Sequence, residues 1–155
     1  MKKIPLNLGK FALVDDEDFE ELNKYKWHIC AKRYARRRDK NKYTLMHRFL
    51  MKTPTDKECD HINGNGFDNR KRNLRNCTHA ENIRNQKISS ANSSGYRGVQ
   101  KSCKEYRKWA AYIKTKGKKI FLGYFKSKIK AAKVYDKKAK ELFSSFARLN
   151  FPKLK

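Results

Sequence analysis

Hydrophobic and polar positions alternate at the start of the chain, where Ile4, Leu6 and Leu8 are separated by Pro5 and Asn7, and Phe11 to Val14 forms a second short apolar run after Gly9 and Lys10. Alternate side chains of a strand face opposite sides, so a period of two over so few residues predicts a small antiparallel sheet. Asp15 to Leu22 predicts a short acidic helix, and Tyr25, Trp27 and Ile29 alternate again before the basic run Lys32 to Arg38. In LMHRFLMK, residues 45–52, Leu45, Phe49 and Lys52 fall at helical spacing, with Pro54 marking the end.

The last third has a clearer plan. Tyr106 to Lys114 alternates, placing Trp109, Ala111 and Ile113 on one face and Lys108, Tyr112 and Lys114 on the other. TKGK makes the turn, and Lys118 to Phe125 returns with Ile120 and Leu122 on one face, Lys119 and Phe121 on the other. The period then becomes helical: Ala131, Tyr135, Ala139 and Phe143 recur every fourth position, Ala132 and Leu142 widen the stripe, and Ser127 is the expected N-cap. These elements predict an α+β chain in which a three-stranded antiparallel sheet packs on one helix.

Composition divides the chain. A length of 155 residues allows one ordinary domain or two small ones, and a hydrophobic fraction of 38% predicts small cores. Residues 1–53 read as a β-rich segment, 54–86 as a second segment and 94–155 as a third module. The polar stretch KISSANSSG supplies a linker at 87–93.

Charge names a partner class. Forty Lys and Arg against fifteen Asp and Glu leave a net charge of +25, far beyond what solubility needs, so a polyanion is expected. Six of the fifteen acidic residues lie between Asp15 and Glu21, which makes the remaining surface more basic still. No apolar run approaches eighteen residues and no charged-then-apolar signal opens the chain, so a membrane role is not expected. Cys30, Cys59, Cys77 and Cys103 include no CxxC pair and read as free thiols, not as a zinc site or a disulfide framework.

The chemistry concentrates in DHINGNGFDNRKRNLRNCTHAEN, residues 60–82. Asp60 offers a charged oxygen and Asn82 an amide oxygen, a pair able to hold one hard divalent cation on a phosphodiester. His61 points to the opposite side of an extended strand from Asp60, free to act as general base, with an ordinary pKa suited to that task. The amide of Asn73 can tie two loop backbones together. Thr78 with Glu81 three residues on has capping-box spacing, which puts Asn82 in the first turns of a helix and His79 on the same face as a rival ligand. Arg36, Arg37 and Arg38 are candidate phosphate contacts.

MHRFLM followed by DHINGNG, DNRKRNLR and THAEN resembles the HNH endonuclease motif over residues 45–85, in the subgroup of phage and intron-associated homing endonucleases whose final histidine is replaced by asparagine. The resemblance implies a ββα-metal fold holding one Mg²⁺ or Mn²⁺, with Asp60 and Asn82 as ligands, His61 as base and Asn73 bracing the loop. His47 matches a His-Arg pair of that subgroup and is read as structural. LVDDEDFEELNKYKW resembles the leader that precedes the nuclease core in such proteins.

SGYRGV, RKWAAYIK, IFLGYF, AAKVYDKKAKEL and ARLNFP, spanning Ser94 to Pro152, resemble the DNA-binding domain of plant ethylene-response factors, whose sheet lies in the major groove. By that likeness and the strand pattern, Arg97, Gln100, Arg107, Lys108, Tyr112, Lys114, Lys119 and Phe121 are expected DNA contacts. Gln100, Lys114 and Lys119 stand where the plant family commonly uses arginine. Lysine lacks the guanidinium fork, so the plant target sequence is not carried over.

The combined expectation is a metal-dependent, site-directed DNA endonuclease that nicks double-stranded DNA. It would act as a monomer without an obligatory protein partner, in the cytoplasm of a bacterial or phage-infected host cell. The competing readings are a non-catalytic DNA-binding regulator and, less well suited to a groove-reading sheet, an RNA-binding protein.

Overall fold

The first alternating stretch closes as a hairpin. Strands β1 (Lys2–Pro5) and β2 (Phe11–Val14) pair antiparallel with Ile4 opposite Ala12. Leu8 does not continue the alternation: with φ of +58° it belongs to the turn, beside Gly9, and is exposed. Helix α1 (Asp16–Asn23) follows, its first turn carrying Asp16, Glu17 and Asp18 at the end of the helix dipole that favours negative charge. Strands β3 (His28–Cys30), β4 (Tyr34–Asp39) and β5 (Lys42–Leu45) make an antiparallel sheet in sequence order. Strand β5 runs directly into α2 (Met46–Leu50). That helix is shorter than its spacing predicts. Leu45 is extended backbone at the end of β5, so the buried residues are Met46 and His47, with Phe49 only half-buried.

Strands β6 (Glu58–His61) and β7 (Leu74–Cys77) pair antiparallel, and helix α3 (His79–Asn85) follows. The computed structural model describes residues 1–40, 42–86, 88–103 and 108–152. Contacts divide the chain into two units, Met1–Ile83 and Arg84–Lys155. The stretches 1–53 and 54–83 share the first unit. Leu13 shows why: its N–H donates to the Phe67 carbonyl at 2.7 Å and its carbonyl accepts from Asn69 N–H at 2.8 Å, so β2 fastens the loop between β6 and β7. Ile4, Ala12, Val14, Leu22, Trp27 and Met46 form the core beneath, and the Trp27 indole donates to the Leu22 carbonyl at 2.9 Å.

The second unit is an antiparallel sheet in the order β10-β9-β8, built from β8 (Val99–Lys101), β9 (Trp109–Thr115) and β10 (Lys118–Phe125), under helix α4 (Lys128–Phe143). Val99, Ala111 and Ile113 from the sheet meet Ala131, Ala132, Tyr135, Ala139 and Phe143 from the helix. Chain α+β architecture is therefore as the periods predict, with two local departures. A register shift falls between Phe121 and Gly123, where Leu122 packs inward, and before it Ile120 lies opposite the buried Ile113 on the same face but is 37% exposed. Leu142 is exposed, and Ser127 has extended cap geometry without a side-chain cap bond.

Gly98, at φ of +70°, lets Tyr135 lie directly on the backbone: a Cβ there would meet the ring at 2.0 Å. Asp136, buried inside α4, accepts from Asn150 N–H at 2.8 Å and Phe151 N–H at 2.8 Å, tying the C-terminal segment to the helix. Within the stretch read as a linker, Asn92 Oδ1 accepts from Ser94 and Gly95 N–H, and Ser94 is buried, its hydroxyl donating to the Val99 carbonyl. No helix among the described residues is long and apolar enough to cross a membrane.

Candidate active site

Strand alternation puts Glu58 and Asp60 on one face of β6 and Cys59 and His61 on the other. Asp60 is buried, at 6% exposure, which would be costly for a carboxylate without a partner. The pairing register supplies one: Asp60 lies opposite Arg75, whose Nε and Nη2 both donate to Oδ2, at 3.0 and 2.8 Å.

Helix α3 starts at a reciprocal cap, in which Thr78 N–H donates to Glu81 Oε2 at 2.8 Å and Glu81 N–H to Thr78 Oγ1 at 3.4 Å. One turn on, Asn82 Nδ2 donates to Glu58 Oε2 at 2.5 Å, and His79 Nδ1–H donates to Glu58 Oε1 at 2.7 Å. The Asn82 amide, with His79 second, holds the Glu58 carboxyl below its usual range. Glu58 thus engages Asn82 through its nitrogen, and Oδ1 is the amide atom that could serve as a ligand. His79 is engaged with the same carboxylate.

Among the described residues, no three His, Cys, Asp or Glu side chains gather to cage a metal ion. The oxygen donors of Asp60 and Asn82 fit a hard cation of a different kind, one that binds through one or two protein oxygens and completes its shell with water and phosphate, as Mg²⁺ does.

On the opposite face His61 is buried, at 4% exposure. Its ring stacks on Tyr34 at 5.8 Å between centroids and meets His47 edge-on at 4.8 Å, and its Nε2 lies 3.3 Å from Asn69 Oδ1. Burial lowers the His61 pKa, against the opposing pull of Asn69, Asp60 and Asp68, and keeps the imidazole neutral.

His47 is driven further, to about 3, by burial first and then by the charges of His61 and Arg48. Its Nδ1 has no hydrogen-bond partner among the described residues, and its ring lies 5.2 Å from Tyr34 and 4.8 Å from His61 between centroids. In the unfolded chain His47 returns to about 6.5. Below that pH the unfolded state binds a proton the folded state refuses, so stability is present above about pH 6.5 and drains away toward pH 3, by up to ~1.4 kcal/mol per pH unit. Urea unfolding of the wild type and His47→Phe between pH 7 and 4 checks this. The variant should show the shallower pH dependence, and equal slopes would contradict it.

The loop between β6 and β7 is held by Asn73. Its Oδ1 accepts from Asn63 N–H at 3.0 Å, and its Nδ2 donates to the Asp68 carbonyl at 2.7 Å and to Asn63 Oδ1 at 3.1 Å. Gly66 is required by close approach, since a Cβ there would stand 2.0 Å from the Arg33 carbonyl oxygen.

The three arginines of β4 separate by environment. Arg37 is enclosed: its guanidinium lies 3.6 Å from the Tyr25 ring and 4.7 Å from Phe49, and its Nε donates to Asp39 at 3.0 Å, so it serves the fold. Arg36 stacks over Tyr43 at 4.1 Å and Arg38 is exposed.

In the second unit, Gln100, Tyr112, Lys114 and Lys119 line one open depression of about 410 Å³. Lys119 Nζ donates to Gln100 Oε1 at 3.3 Å and sits 3.9 Å over the Tyr112 ring. Phe121 is 47% exposed and packs against Tyr112 and Tyr124. Lys108 is exposed. Arg97 is half-buried, and its guanidinium donates to the Gln86 carbonyl. Arg107 lies outside the described residues.

Sequence reasoning missed Glu58, Tyr34, Asn69 and Arg75. Arg75 was discoverable, because it falls opposite Asp60 once the two strands are paired. Tyr34 and Asn69 reach the site through tertiary contacts that no local spacing encodes.

Over 148 residues, 92% of this chain, the sequence is 31% identical to an uncharacterized HNH endonuclease of Acanthamoeba polyphaga mimivirus, covering 75% of that protein. Over 61 residues, 38% of this chain, it is 39% identical to Dehydration-responsive element-binding protein 2C of Arabidopsis thaliana, covering 17% of that protein. No family profile matches the chain, and no solved structure matches it significantly.

Proposed function

Because the chain belongs to the HNH endonuclease family, we propose that it is a metal-dependent endonuclease that hydrolyses a phosphodiester in double-stranded DNA, one strand per active site. The observation that carries this reading is the placement of Asp60 and His61 on opposite faces of β6, with α3 bringing Asn82 against the Asp60 face through Glu58. Cation-holding and base duties are thereby separated by a single peptide unit, and neither side chain competes for the other's role.

A divalent cation, Mg²⁺ or Mn²⁺, held by Asp60 and Asn82 would supply positive charge to the scissile phosphate and the departing 3′ oxygen. His61, neutral in its buried pocket, takes a proton from the attacking water. Arg75 fixes the Asp60 carboxylate through two bonds, and Asn73 keeps the loop from moving His61 relative to Asp60.

Binding is distributed. Arg36 and Arg38 contact phosphates, while Arg37 supports the sheet that presents them. Gln100, Lys108, Tyr112, Lys114, Lys119 and Phe121 present the outer sheet face of the second unit to the duplex, a role supported by the likeness to the dehydration-responsive element-binding protein. With so many lysine contacts, affinity falls steeply as salt rises. The protein works as a monomer with duplex DNA as its partner.

By the likeness to HNH endonucleases, hydrolysis is expected to leave 5′-phosphate and 3′-hydroxyl ends. Nicks made by the protein should therefore be sealed by DNA ligase without prior end repair. Nicks that ligase seals only after phosphatase and kinase treatment would contradict the assigned direction of attack.

A further inference from the structure

Asn69 stands in a place that packing alone does not explain. Its side chain is wholly buried, and its Nδ2 has no hydrogen-bond partner among the described residues. A leucine would fill similar space without burying an unsatisfied donor, so the amide needs a reason to be there. The one side-chain bond it makes among the described residues is to the candidate base: Oδ1 lies 3.3 Å from His61 Nε2.

The backbone on either side is pinned. Asn69 N–H donates to the Leu13 carbonyl at 2.8 Å. The neighbouring Asp68 carboxylate takes Arg70 Nη2 at 2.6 Å and Asn63 Nδ2 at 2.9 Å, and the Asp68 carbonyl takes the Asn73 amide at 2.7 Å. Tyr34 and His47 confine the plane of the imidazole from its face and edge. Rings confine a plane, but they do not choose which nitrogen carries the proton. A carbonyl oxygen does, because it only accepts.

We propose that Asn69 is the positioning residue for His61: its Oδ1 accepts the Nε2 proton, which selects the tautomer whose Nδ1 lone pair is left to take a proton from water, and fixes the rotation of the ring. The inference rests on the nuclease reading for its consequence but not for its geometry, and the two can fail separately.

The experiment uses the full chain, free of metal, with ¹⁵N-labelled histidine. Long-range proton–nitrogen spectra distinguish the two neutral tautomers of an imidazole, and the His61→Ala spectrum assigns the signal among the four histidines. The wild type should show His61 protonated on Nε2. Asn69→Leu should lose that preference and lower kcat for DNA cleavage about 100-fold or more, the scale on which a base in the wrong tautomer fails. KM and duplex affinity should stay unchanged. Asn69→Asp, which still accepts from Nε2, should keep the wild-type tautomer and retain most of the activity.

His61 protonated on Nδ1 in the folded wild type overturns the proposal without any variant. So does Asn69→Leu with an unchanged tautomer or unchanged kcat. Should Asn69→Leu not fold, as judged by circular dichroism, the wild-type tautomer and Asn69→Asp decide. A wild type that cuts no DNA yet shows the tautomer and its loss in Asn69→Leu would uphold the positioning and remove His61 from the base role.

Discussion

His61→Ala is expected to cut duplex DNA about 100- to 10,000-fold more slowly than the wild type, the usual contribution of a positioned general base. It should bind the same duplex equally well. His61 is buried against Tyr34 and His47, so its removal takes no exposed lysine or arginine from the surface. Cleavage time courses and gel-shift titrations on one labelled duplex separate the two effects. Full cleavage by the variant would take His61 out of the base role, and parallel loss of binding and cleavage would point to damage of the fold.

Asp60→Ala should lower cleavage by about 1,000-fold or more, because a bound cation contributes several kcal/mol of charge stabilisation and each 1.36 kcal/mol is a factor of ten. A second effect follows from the ion pair. The change removes the acceptor of two Arg75 bonds in a site where Asp60 is 7% exposed and Arg75 16%, so the fold should lose about 3 kcal/mol as well. Asp60→Asn tells the two apart: it keeps an acceptor for Arg75 and recovers much of the stability, but its neutral oxygen should not recover cleavage. Thermal unfolding and cleavage of both variants give the comparison. An Asp60→Ala protein with wild-type cleavage would move the metal site elsewhere.

The sequence carried the regular elements well where one period persisted. Lys118–Phe125 is a strand over its full predicted length, and the row Ala131, Tyr135, Ala139 and Phe143 is the buried face of α4. The pattern placed Ile120 on the face of its buried partner Ile113 but could not show that it is 37% exposed. It failed at Leu45, which ends a strand where helical spacing had placed it inside a helix.

In the site, the opposed directions of Asp60 and His61 were legible because adjacent residues of any strand diverge. Their partners were not. Arg37 looks like its neighbours in sequence and is set apart only by Tyr25 and Phe49, brought to it by the fold. Glu58 gains meaning from a helix that starts twenty-one residues later, at His79. Asn69 gains it from a loop whose shape is set by Asn73 and by β2. What local spacing encodes is the direction of a side chain; what it faces depends on elements distant in the chain.

Every catalytic role proposed above depends on divalent-cation-dependent cutting of DNA. Its most direct test is incubation of the purified wild-type protein with supercoiled plasmid, in Mg²⁺ or Mn²⁺ and in EDTA. Conversion to open-circle DNA with metal, and none in EDTA, is the result expected of a nicking HNH enzyme. Plasmid that is retarded but stays supercoiled with either metal, on related sequences as well, would contradict it and leave the protein a DNA binder without catalysis.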